Sequence, residues 1–121
     1  MKLLHSFFYA GRGIKYCFWQ EQNFRIHILA IAVVSTAGFY FSISTTEWIF
    51  VTGCCTMMVV MEMLNTALEK MCDFVTKDFH PLIECIKDVS AGAVLVCAAG
   101  SATTGAIIFI PKIMQHLKLF L

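Results

Sequence analysis

Hydrophobic and polar positions divide the chain into four stretches. Residues 1–25 mix the aromatics Phe7, Phe8, Phe18, Trp19 and Phe24 with Lys2, Arg12, Lys15 and Arg25. That mixture predicts an amphipathic helix lying in a membrane interface, locally weakened by Gly11 and Gly13. The 21 residues 26–46 contain no Asp, Glu, Lys or Arg, enough to cross a hydrocarbon layer of about 30 Å. Residues 89–111 form a second such run of 23. Between them, Trp48–Met61 supplies only 14 uncharged residues, about 21 Å of helix. This middle run spans a bilayer only if it continues through Glu62.

The distribution of basic residues decides that question. Lys2, Arg12, Lys15 and Arg25 precede the first run, and Lys70, Lys77 and Lys87 lie between the second and third. The 44–47 connection has none. Positive residues stay in the cytoplasm, which places the N-terminus and the 70–87 connection inside and the C-terminus outside. Three crossings follow, at about 26–46, 48–71 and 89–111. The predicted architecture is a single all-α membrane domain, residues 1–121, with an interfacial helix over 1–25, in a bacterial inner membrane.

Composition agrees. Of 121 residues, 59% are hydrophobic and 14% charged, with mean hydropathy +0.75, where a soluble domain carries about 25% charged residues. A net charge of +1 without a basic, aromatic-laced patch argues against nucleic-acid partners. Arg12 and Lys15 break up any signal-peptide core. The six cysteines show no CxxC spacing and read as small buried hydrophobes.

The chemistry is concentrated in VVMEMLNTALEKMCDF, residues 59–74. Counted from Trp48, Glu62 lies about 21 Å into the bilayer and Glu69 about 31 Å, at the cytoplasmic surface. A charged residue at the centre of a span costs about 2.5–3.5 kcal/mol on insertion scales, so an acid there needs a reason. At 100° per residue, Glu62, Asn65, Glu69 and Asp73 fall within about 80° of one another, with Thr66 at the edge. The stripe has two readings: hydrogen-bonding glue between helices, or a site dividing chemistry at lipid depth from cation binding at the surface. Glu62 and Glu69 stand about 10 Å apart along the helix, too far to share one small ion.

Nearby, Lys87 and Asp88 border the third run, and Pro81 predicts a helix start leading into it. Glu21 and Arg25 have the i, i+4 spacing of a helix-surface pair. Ala98, Ala102 and Ala106, with Ser101 and Gly105, form a small-residue stripe suited to close helix packing in lipid. Three helices poorly enclose several acids, so an oligomer is expected. An ion- or proton-conducting oligomer and a holin-like structural protein stand as alternatives to an enzyme.

The motifs together resemble a known family, the prokaryotic integral-membrane diacylglycerol and undecaprenol kinases. Glu62-Met-Leu-Asn65-Thr66-Ala67-Leu68-Glu69 is similar to its ExxNxAxE signature. Lys87-Asp88 with Ala91-Gly92-Ala93-Val94-Leu95 is similar to its KDxxAGAVL stretch, and Glu21-Gln-Asn-Phe24-Arg25 to the entrance of its first span. The resemblance covers nearly the whole chain and implies a homotrimer with shared active sites. It implies transfer of the γ-phosphoryl of ATP to a membrane lipid hydroxyl, with Mg²⁺. By the same resemblance Glu62 is the general base, and Glu21 and Glu69 bind the metal. Nucleotide contacts fall to Tyr9, Glu21, Glu69, Asp78, Phe79, His80, Lys87 and Asp88, and support to Lys15, Asn65, Asp73 and Ala91. His80-Pro81 is closer to the undecaprenol-kinase side. No GxxxxGK[ST] loop is present, so the enzyme implied is not of the P-loop type.

Overall fold

The computed structural model describes residues 1–121 as four helices and no strands: α1 Lys2–Gln20, α2 Gln22–Tyr40, α3 Thr45–Val75 and α4 Pro81–Phe120. The last three are long and apolar enough to cross a membrane. α2 has 19 residues, about 28 Å of helix. α3 has 31 and α4 has 40, about 46 and 60 Å. Both overshoot a hydrocarbon layer of about 30 Å, so their ends stand in the headgroups or in water. Only 12 of the 121 residues are buried, while Leu29, Val33, Ile49, Leu95, Val96 and Ile107 are exposed. An outer surface of that kind requires lipid or other copies of the chain against it.

The amphipathic segment and the first span meet at one extended residue, Glu21 (φ −113°, ψ 112°). Gly11 and Gly13 leave α1 unbroken. The Arg25 guanidinium reaches back over the break, Nη1 donating to the carbonyls of Phe18 (2.9 Å) and Trp19 (3.1 Å). It thereby satisfies two of the orphan acceptors that end any helix. Arg25 therefore caps α1 and forms no ion pair with Glu21, despite their i, i+4 spacing. Phe24, 2% exposed, is the most enclosed large side chain and anchors the junction.

The α2–α3 turn is tighter than the uncharged run predicts. α2 ends at Tyr40, and Ser42 takes the left-handed conformation (φ 50°). Ser44 and Glu47 then form a reciprocal capping box: Glu47 N–H donates to Ser44 Oγ (3.1 Å), and Ser44 N–H to Glu47 Oε1 (2.9 Å). Thr45–Glu47 is thus the first turn of α3, and the expected first span over 26–46 is divided between two helices. Trp48 packs where Gly38 leaves room; a Cβ at Gly38 would lie 2.6 Å from Trp48 Cη2. Beside this turn, Ile43, Val51 and Ile108 form a small apolar core.

Pro81 opens α4 as predicted, with the His80 ring capping it: Leu82 N–H donates to Nδ1 at 3.1 Å. The helix runs on through Pro111 to Phe120, although that residue has no N–H to give. This extension is held at the turn by Tyr40 Oη against His116 Nε2 (2.9 Å) and by Lys112–Glu47 (3.3 Å).

Candidate active site

α3 turns its acid stripe toward the other helices. Glu62, Asn65 and Thr66 are 2%, 8% and 4% exposed, and Glu69 and Asp73 are half-buried nearer the helix end. Along this face of α3 the polar residues run from enclosed at Glu62 to half-buried at Asp73. The α3–α4 packing, the most extensive in the bundle, brings the KD segment alongside it.

A hydrogen-bond chain links the two helices. Ser90 Oγ–H donates to Asn65 Oδ1 (2.7 Å), and Asn65 Nδ2 donates to Glu69 Oε1 (3.3 Å). Ser90 fixes which way the Asn65 amide faces, and the amide in turn orients Glu69. One turn further toward the C-terminal end of α3, Lys87 Nζ and Asp73 Oδ1 are paired at 2.9 Å. The Lys87 hydrogen bond holds the Asp73 carboxyl below its usual range, and Asp73 holds the Lys87 ammonium above its own.

Glu62 is the deepest member. Its carboxylate is 3% exposed, and within one protomer its partner is His27 of α2, with Nε2 3.5 Å from Oε2. The carboxylates of Glu21 and Glu69 are close enough to act on Glu62 electrostatically, and Glu21 also acts on Cys17. The interhelix break at Glu21 thus brings a fourth acid near Glu62, beside the three of the stripe. His27 borders an apolar groove of about 290 Å³ between α2, α3 and α4, lined also by Ile31, Val51, Met58, Ala102 and Gly105. The small residues of α4 open this groove.

Of the sequence-predicted site residues, the fold gathers Glu21, Glu62, Asn65, Glu69, Asp73 and Lys87. Tyr9 and Lys15 on α1, Asp78, Phe79 and His80 before α4, and Asp88 and Ala91 on α4 are exposed. No hydrogen bond or ion pair joins them to the stripe. His27 and Ser90 were not legible as members: His27 lies in an uncharged run, and Ser90 directly follows a KD pair that draws the eye. Thr66 Oγ1 is buried without a hydrogen-bond partner.

No three His, Cys, Asp or Glu side chains form a metal cage. The donor set nonetheless suits one kind of ion. Mg²⁺ is commonly held by one or two carboxylates together with substrate phosphates, and Glu21 and Glu69 are two carboxylates near Glu62.

Three apolar helices, with a buried acid on the face of one of them, define an integral-membrane protein with a polar site between its helices. The profile described as prokaryotic diacylglycerol kinase matches residues 8–109, and the chain belongs to that family. It is 39% identical over 112 residues to an undecaprenol kinase of Bacillus subtilis (strain 168), covering 93% of this chain and 91% of that one. It is 35% identical over 116 residues to a diacylglycerol kinase of Synechocystis, covering 93% of this chain and 65% of that one. A diacylglycerol kinase of Helicobacter pylori (strain J99) is 36% identical over 97 residues, 78% of this chain and 74% of its own. Membership makes the protein a lipid kinase using a nucleotide phosphoryl donor. The ion-conducting and holin-like readings yield to it.

Proposed function

We propose that the protein transfers the γ-phosphoryl group of ATP to the hydroxyl of a membrane lipid alcohol, with undecaprenol as the acceptor and diacylglycerol as the second candidate. The observation that carries this is the buried Glu62, joined by one face of α3 to the Asn65–Glu69 and Asp73–Lys87 groups nearer the helix end. A lipid hydroxyl sits just below the headgroups, where Glu62 waits. The apolar groove of about 290 Å³ beside His27 offers room for a short part of the acceptor's chain. Undecaprenol is favoured by the 39% identity to an undecaprenol kinase over nearly both full lengths; diacylglycerol is supported by the two diacylglycerol kinases.

Phosphoryl transfer asks mainly for positioning and charge neutralisation. Glu62 accepts the hydroxyl proton as the lipid oxygen attacks. Lys87, held by Asp73, offers a fixed positive charge to the nucleotide phosphates, and Asp88, Asp78, Phe79, His80 and Tyr9 are the further nucleotide contacts of this reading. Mg²⁺, when bound, neutralises phosphate charge, and Glu21 and Glu69 are the residues that would hold it. Asn65, oriented by Ser90, keeps Glu69 in place, while Lys15 and Ala91 line the approach of the lipid. Sites are completed between the subunits of a homotrimer, with the N-terminus cytoplasmic and the C-terminus outside, in the bacterial inner membrane.

The test is turnover of purified enzyme with MgATP and either undecaprenol or diacylglycerol. Glu62→Gln is expected to lose about 10²–10⁴-fold in kcat, the usual contribution of a general base. Unchanged turnover would remove Glu62 from the chemistry, and a faster reaction with diacylglycerol would reverse the order of acceptors.

A further inference from the structure

Glu62 has a neighbour the lipid-kinase reading does not use. His27 extends from α2 toward it, with Nε2 3.5 Å from Oε2, and the carboxylate is 3% exposed while the imidazole is 22% exposed. A carboxylate removed from water keeps its charge only beside a partner. Among the groups facing Glu62, this is the one able to accept a proton and pass it on. Glu21 at the α1–α2 break and Glu69 on α3 act on it through their charges, and the Cys17 thiol on α1 is neutral. From α4 the groove lining near His27 is Ala98, Ser101, Ala102, Thr104 and Gly105, none of them titratable at working pH.

We propose that His27 is a positioning residue for Glu62 and the acceptor that clears its proton; the inference rests on Glu62 being the base. Its Nε2 lone pair accepts from the Glu62 carboxyl once that carboxyl is protonated, which sets the rotamer in which the proton is held. As the hydroxyl oxygen bonds to the γ-phosphorus and the bond to the departing nucleoside diphosphate breaks, the hydroxyl proton goes to Glu62. The carboxyl then hands that proton to His27 Nε2, which regenerates the carboxylate and leaves an imidazolium. The imidazolium, one-fifth exposed, returns the proton to water. Imidazole suits this because it takes up and releases protons near physiological pH, and a 3.5 Å separation shortens readily when substrate closes the site.

The experiment uses the full chain in lipid bilayers with MgATP and undecaprenol, with rates normalised to folded enzyme. His27→Gln is expected to lower kcat by about ten- to a hundredfold, the scale on which partners of reacting groups act, with KM for ATP unchanged. The acid limb of kcat against pH should lose its imidazole step. His27→Ala, which opens onto the groove, should regain rate when free imidazole is added, and more so as the pH rises. In a Glu62→Gln background, His27→Gln should have no further effect. A His27→Gln enzyme with the wild-type rate and pH profile overturns the proposal. So does a slowed enzyme with an unchanged profile and no imidazole rescue, which would make His27 merely structural. Full activity of Glu62→Gln instead strikes at the base assignment itself, so the two failures are told apart.

Discussion

Ser90→Ala removes a hydroxyl that reaches no substrate, yet it should alter the enzyme's response to Mg²⁺. Ser90 and Asn65 are 7% and 8% exposed and joined at 2.7 Å across α3 and α4. By helix count, Asn65 lies about 25 Å along α3 from Trp48, within a helix long and apolar enough to cross a membrane. In water-soluble cores, orphaning a buried acceptor costs about 1–3 kcal/mol. Interhelical hydrogen bonds in lipid average about 0.6 kcal/mol with a maximum near 1.7, because the separated helices also find partners. The lipid figure governs here. If that energy is expressed as lost orientation of the Asn65 amide, Nδ2 donates less often to Glu69 Oε1. The half-saturating Mg²⁺ concentration should then rise about 3- to 18-fold, the exponential of about 0.6–1.7 kcal/mol over RT. The assay is initial rate against free Mg²⁺ at saturating ATP and lipid, with thermal denaturation in detergent recorded in parallel. Maximal rate should change little, since Glu62 is untouched. Asn65→Ala should match or exceed the effect, and the double variant should be no worse than Asn65→Ala. Additive losses would refute the chain Ser90–Asn65–Glu69, as would an unchanged Mg²⁺ dependence.

Two further perturbations test the scaffold around the site. The Asp73–Lys87 pair has a pH window set by its shifts. Asp73 is lowered from 3.8 chiefly by the Lys87 hydrogen bond, so its contribution is present above 3.8 and is lost as pH falls through the lowered value. Lys87 is raised from 10.5 chiefly by the same bond, so its contribution is present below 10.5 and is lost as pH rises through the raised value. The thermal-stability difference between wild type and Asp73→Asn should therefore be flat across the neutral range; a difference that titrates near neutrality would show that another group carries it. At the α2–α3 turn, Gly38→Ala puts a methyl 2.6 Å from Trp48 Cη2 and 3.2 Å from Ile43 Cδ1. Overpacking of this kind costs about 1–3 kcal/mol, read as a lower denaturation temperature and a shift in Trp fluorescence, with kcat of the folded fraction unchanged.

Much of the site was legible along the chain because its logic is local. The stripe Glu62–Asn65–Glu69–Asp73 follows from 3.6 residues per turn, and the depth of each acid from a rise per residue counted from Trp48. Both need one helix and nothing else. The KD segment was recognisable as chemistry, but its geometry was not. Lys87 joins Asp73 while Asp88, its sequence neighbour, faces away and is exposed, a choice made by the rotation of α4 against α3. Local counting also misplaced two charges. Glu47 belongs to a capping box, not a loop, and Arg25 caps the preceding helix, not its i−4 neighbour.

The sequence by itself determined the helical class, the three apolar spans, and the helix that carries the acids, because backbone groups in lipid must be satisfied within a helix and side-chain periodicity follows directly. Only the tertiary structure decided what those acids touch. His27 meets Glu62 from α2, and Ser90 meets Asn65 from α4, 25 residues along the chain. Neither spacing carries a period that a single helix could impose. Their meeting depends on how the helices lie against one another, which the small side chains of α4, the break at Glu21 and the Gly38–Trp48 contact set jointly.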